Sequence, residues 1–165
     1  MLIMNSMLFL VRRVLISFFL ALAIQSAAQG ELRIAHNLHD LGRESDIRNI
    51  PVILFFSSKH CEYCDLVRDE FLKHLLTDPA FMHKLLLREV RIDSTRLLLD
   101  FSRQSITHTA FTEQRGIELV PTIQFTDGLG DILTEDIVGV TTLGFYGAYL
   151  EKAIEQSLSS LRPTN

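Results

Sequence analysis

The sequence predicts an α/β domain built on a mixed central sheet with helices on both faces. Three observations carry that class. A continuous apolar run, "PVILFF" at 51–56, has the composition of a strand buried on both sides. Cys61 and Cys64 follow it closely, and Val67, Phe71 and Leu75 then recur every four residues as a helix stripe. Further on come a second strand pattern, a glycine-rich hairpin and a long closing helix, the order expected of a strand–helix–strand unit with an added hairpin.

The elements can be justified in chain order. Residues 1–28 contain no acid and two bases, Arg12 and Arg13, ahead of the apolar run Val14–Ile24 and the small residues Ser26 and Ala28. A basic start, an apolar middle and a small-residue site predict a signal peptide over 1–28, cut after Ala28, leaving 29–165 as the working domain. The basic region is long and itself apolar, so Met7 is an alternative start. An uncleaved anchor is the competing reading, but 11 apolar residues fall short of the roughly 20 that a spanning helix needs. The expectation is therefore a periplasmic or otherwise extracytoplasmic protein, with no stable membrane association after cleavage. Removing Arg12 and Arg13 takes the formal net charge from −4 to −6. No basic stretch suggests a nucleic-acid partner. At 165 residues and 47% hydrophobic content, the chain has enough apolar material for one core.

Leu32, Ala35, Leu38 and Leu41 fall at spacings of three, which predicts an amphipathic helix within 31–50, with Gly42 as a possible break. Asp78 before Pro79 predicts a capped restart after the cysteine helix. "LREVRID" at 87–93 reads as the next strand. A turn at Ser102–Ser105 precedes a short helix that Thr107 or Thr109 can cap. "VPTIQFTDGLGDILTEDIVG" at 120–139 reads as two strands around a turn. In the closing helix, 141–162, Phe145, Tyr149, Ile154 and Leu158 are expected in the core.

The two cysteines invite three chemistries. A zinc site needs two more ligands; no second cysteine pair exists, and no ligand spacing supports His36, His39 or His60. A crosslink over so short a loop removes little chain entropy. A redox dithiol suits the placement best. At the start of a helix, unpaired N–H groups and the helix dipole stabilise a Cys61 thiolate. Cys64, one turn on, can then displace a partner held by Cys61 as a mixed disulfide.

"PVILFFSSKHCEYC", "VRID" at 90–93, "RGIELVPTIQFTDGLGD" at 115–131 and the later "GVTTLGFYGAYLEKAI" together resemble the thioredoxin superfamily, and within it periplasmic SoxW-type thioredoxin-like proteins. The resemblance spans roughly residues 34–158. It implies a thioredoxin-like fold and a thiol:disulfide oxidoreductase that reduces protein disulfides. It also implies Cys61 as nucleophile, Cys64 as resolving thiol, Pro121 as a cis-proline facing them, and Val120 as a backbone contact for substrate. A membrane-bound electron donor is the further implied partner; no cofactor and no metal are expected.

The departures from the family pattern are specific. His60 stands where many thioredoxins have Trp, and Glu62-Tyr63 replaces Gly-Pro between the cysteines. Phe55 occupies the place of the buried Asp that serves as proton acceptor. Glu89 is a candidate substitute, against a simpler role pairing with Arg88 or Arg91. His60 would favour a thiolate when charged, or else is a solvated loop side chain; Glu62 would oppose a thiolate and weaken the pair as an oxidant. A thioredoxin-fold binding or scaffold protein without turnover, and a metal-handling Cys/His protein, stand as alternatives.

Overall fold

The computed structural model describes residues 31–140 and 142–162. The predicted signal peptide lies outside the described residues. A four-stranded sheet with strand order β2-β1-β5-β6 forms the centre. Strand β1, Val52–Ser57, is buried at all six positions, as its apolar run requires. It pairs parallel with β2, Leu86–Arg91, and antiparallel with β5, Thr122–Thr126; β5 in turn pairs antiparallel with β6, Ile137–Val138.

Alternate residues of β1 feed two cores. Ile53 and Phe55 point to one face, where the cysteine helix and the closing helix cover them. Val52, Leu54 and Phe56 point to the other. The cysteine helix runs as α2, Glu62–Val67, a wider π-helical turn over Arg68–Leu72, and α3, Lys73–Thr77. The closing helix α5 spans Leu143–Ser160 on the same face. The opposite face carries α1, Leu38–Arg48, and α4, His108–Gln114. The expected mixed sheet with helices on both faces is thus present.

Local chemistry sets the helix ends. The Asn37 side chain accepts a hydrogen bond from the Asp40 N–H at 2.9 Å and starts α1, and Asn49 closes it with φ of 53°. Gly42 does not break α1. A Cβ there would overlap the Gly128 carbonyl oxygen, so the glycine lets the helix touch the β5–β6 connection directly. Thr107, not Thr109, caps α4 by accepting from the Ala110 N–H at 3.1 Å.

Three expectations need correction. Leu32 and Ala35 are buried but not helical. Their segment runs beside β2, with the Ala35 N–H donating to the Glu89 carbonyl at 2.8 Å and the Glu89 N–H to the Arg33 carbonyl at 2.9 Å. Unmet strand-edge groups outweigh local helix spacing there. Asp78 caps only a turn, through the Ala80 N–H at 2.8 Å, because the chain must re-enter the sheet at Leu86. In α5, Phe145 and Tyr149 are 60% and 51% exposed, while Tyr146, Leu150, Ala153 and Ile154 are buried. The Phe71 ring, 4.8 Å from that of Tyr146, selects the inward stripe. A short ribbon of β3, Leu97–Leu99, and β4, Ser105–Thr107, also forms where the sequence suggested only a turn.

Candidate active site

Cys61 and Cys64 are joined as a disulfide. Cys61 is the N-cap of α2, and its Sγ accepts from the Cys64 N–H at 3.2 Å. Its carbonyl receives the Cys64 and Asp65 N–H groups at 3.0 and 3.1 Å. The fold therefore places the Cys61 sulfur at the positive end of the helix. Cys61 is half-buried and Cys64 fully buried. An attacking thiol must meet its partner, and a resolving thiol need only meet the first sulfur, so the two exposures match different tasks.

The rim comes from separate loops. His60 has φ of 58° and is exposed, as are Glu62 and Tyr63. The Lys59 N–H donates to Asp93 Oδ2 at 2.9 Å, which ties the cysteine loop to the end of β2. The Val120–Pro121 peptide is cis. Val120 and Cys61 both pack against the core cluster that contains Cys64. The Pro121 carbonyl accepts from the Gly139 N–H at 2.7 Å, and the Thr122 hydroxyl donates to the Leu119 carbonyl at 2.9 Å. Among the described residues, the Val120 N–H and C=O make no backbone hydrogen bond.

Glu89 lies beside Phe55 across the β1–β2 ladder and is 2% exposed. Its Oε1 accepts from the Ser57 hydroxyl at 2.5 Å and from Arg68 Nη2 at 2.7 Å, with Arg91 Nε at 3.6 Å. Arg68 belongs to the π-helical turn, one turn beyond Cys64. It also pairs with Asp65 and stands over the Phe55 ring, 5.6 Å from its centre. Burial works against the Arg68 charge, but the bonds to Glu89 and Asp65 outweigh it and raise the pKa above the ordinary value. Arg68 and Ser57 escaped the sequence reading. Their signal was positional: Arg68 is four residues after Cys64, and Ser57 shares the Phe55 face of β1. Arg88 does not pair with Glu89; its Nη1 donates to the Leu87 carbonyl at 2.7 Å.

Residues 43–154 match the family model described as "Thioredoxin-like domain". The chain belongs to that thioredoxin-like family. Among solved structures it is similar to a thioredoxin-fold protein from Helicobacter pylori, at 16% identity and TM-score 0.54, covering 67% of this chain and 73% of that one. It is also similar to thioredoxin from Malassezia sympodialis, at 17% identity and TM-score 0.52, covering 80% and 95%. A mutant thioredoxin from Halobacterium salinarum aligns at 16% identity and TM-score 0.51, covering 85% and 99%. These likenesses show the fold. No curated protein sequence matches the chain. A thioredoxin-like domain carrying a Cys-x-x-Cys disulfide is organised as a thiol:disulfide oxidoreductase. In this domain Phe55 lies beside the partnered Glu89.

Proposed function

We propose that the protein reduces protein disulfides outside the cytoplasm, in the manner of SoxW-type thioredoxin-like proteins. The observation that carries this reading is the half-buried Cys61 sulfur at a helix start, bonded to a fully buried Cys64. In the reduced state, the Cys61 thiolate attacks one sulfur of a substrate disulfide. A mixed disulfide forms and the other substrate sulfur leaves as a thiolate. Cys64, as its thiolate, then attacks the Cys61 sulfur, releases the second substrate thiol and restores the Cys61–Cys64 disulfide. Two electrons have passed to the substrate, and a membrane-bound donor supplies two more to reduce the Cys61–Cys64 disulfide again. Val120, whose backbone groups make no backbone hydrogen bond among the described residues, supplies hydrogen bonds to the extended substrate chain beside cis-Pro121. The leader pattern in residues 1–28 supports export.

His60 and Glu62 modulate the pair from the solvent side. Glu62 disfavours the thiolate, and a higher thiol pKa accompanies a more reducing couple. The potential is expected nearer thioredoxin's about −270 mV than the about −120 mV of a strongly oxidising disulfide-forming enzyme. Equilibration with glutathione buffers measures it, and a value close to the oxidising figure refutes the proposed direction. Cys61→Ser should abolish insulin disulfide reduction. Cys64→Ser should accumulate mixed disulfides with substrate proteins through Cys61. Faster alkylation of Cys64 than of Cys61 in the reduced protein would reverse the roles.

A further inference from the structure

Beside the cysteine loop lies a hollow of about 420 Å³ whose lining includes Lys59, Arg91 and Arg96 with the hydroxyl residues Ser94 and Thr95. Three basic residues line it in a chain of formal net charge −4. Asp93 is the one acid in the lining, and its Oδ2 accepts the Lys59 N–H at 2.9 Å. Among the described residues, no ion pair engages Lys59 or Arg96. Arg91 reaches only Glu89, through Nε at 3.6 Å, and its side chain is 42% exposed. The positive charge is therefore largely uncommitted.

The hollow is held in shape by its neighbours. The Ser94 N–H donates to the Arg91 carbonyl at 3.1 Å. The Ser94 carbonyl accepts both the N–H and the hydroxyl of Thr109 at 3.1 Å. The Arg96 carbonyl accepts the His108 N–H at 3.0 Å. A turn fixed at both ends lowers the backbone part of the ordering cost at the moment of binding.

We propose that this hollow is a subsite for an acidic side chain of the protein whose disulfide Cys61 attacks. The proposal rests on the reductase reading above. Lys59 lies two residues before Cys61, so the two Cα atoms are at most about 7 Å apart. A substrate chain crossing Cys61 in extended form covers about 10 Å in three residues, enough to bring a Glu or Asp flanking its cysteine to the hollow. The concave shape suits one or two carboxylates rather than a flat anionic membrane. Charge complementarity of this kind sets partner choice and encounter rate more than bulk affinity.

The test uses two disulfide-linked peptide substrates that differ only in Glu or Ser three residues from the cysteine. The acidic peptide should be reduced with about tenfold higher kcat/KM, mostly through KM, and added salt should shrink the ratio. Arg96→Glu should collapse the ratio, and Lys59→Ser, at an exposed loop position, should lower it without threatening the fold. A cysteine-free version of the acidic peptide should bind, with NMR shift changes at residues 94–96. If neither peptide is reduced but the cysteine-free acidic peptide binds there, the reductase reading fails and the subsite stands. Equal turnover of both peptides with no binding of the cysteine-free peptide overturns the subsite. Binding of inorganic phosphate or phosphatidylglycerol vesicles, but not of the acidic peptide, overturns it as well.

Discussion

Two partly buried arginines, one on each face of the sheet, meet opposite fates. On the cysteine face Arg68 bonds Glu89 and Asp65, Glu89 also takes the Ser57 hydroxyl, and the arginine's pKa is raised despite burial. On the other face Arg115 Nε donates to Gln124 Oε1 at 2.6 Å and Nη1 to the Gly130 carbonyl at 2.8 Å, yet among the described residues Nη2 has no partner. Gln124 Nε2 donates to Asp136 Oδ2 at 2.9 Å, and Asp136 Oδ1 has no partner among the described residues. Burial lowers the Arg115 pKa in spite of Asp136, Asp131 and Asp127, and burial raises that of Asp136. A direct carboxylate bond sustains a buried charge; neutral acceptors and acids farther off do not fully offset its desolvation. The face that carries the chemistry is the one whose charges are matched.

Breaking the matched pair should therefore cost most. Arg68→Met leaves the Glu89 carboxylate buried with only Ser57 and the more distant Arg91, a loss of about 3 kcal/mol. Urea unfolding of the oxidised protein measures it. The double substitution Arg68→Met with Glu89→Leu should recover most of that loss, since apolar replacements of a buried pair are often near neutral. A double variant as unstable as the single would mean that Arg68 acts through packing on Phe55 and the helix, not through its charge.

The unmatched arginine should matter less. Arg115→Met removes two hydrogen bonds but also a disfavoured charge and an unpartnered N–H, for a net cost of about 1 kcal/mol. A cost equal to that of Arg68→Met would erase the contrast between the faces.

The contrast also marks what the sequence could say. The strand at 51–56, the position of the cysteines at a helix start and the hairpin after Pro121 were all legible, because each is local and signalled by its own residues. The Arg68–Glu89–Ser57 cluster was not. It depends on the register that sets Phe55 opposite Glu89, and on a π-helical turn that rotates Arg68 toward the sheet. No spacing within either segment fixes the pairing of the two. In α5 both the Phe145/Tyr149 and the Tyr146/Leu150 stripes are apolar, and packing on the sheet face and the Phe71 ring chooses between them. The strand-like course of Leu32 and Ala35 was hidden for the same reason, since it follows from the exposed edge of β2 and not from their own spacing.

The smallest effect is expected at His108, on the less matched face. It is fully buried; its Nδ1 accepts the Arg91 N–H at 3.2 Å, and its Nε2 completes no hydrogen bond among the described residues. Burial lowers its pKa below the ordinary 6.5; the nearby Ala35 backbone opposes this, while His36, Arg96 and Arg91 add to it. The sign follows from proton binding. Between the lowered folded value and the ordinary unfolded value, the unfolded chain takes a proton that the folded chain refuses. The contribution of His108 is thus complete above the unfolded value and is lost as pH falls through it toward the folded one. His108→Gln keeps an acceptor for the Arg91 N–H but cannot titrate. Its stability should fall less than that of the parent between pH 7.5 and pH 5.5, as read from urea midpoints at each pH. The difference vanishes above the ordinary histidine range, which is why it ranks below the two arginine effects. Parallel pH slopes for parent and variant would show that the folded protein protonates His108 as readily as the unfolded chain does, and would remove this site from the contrast between the two faces.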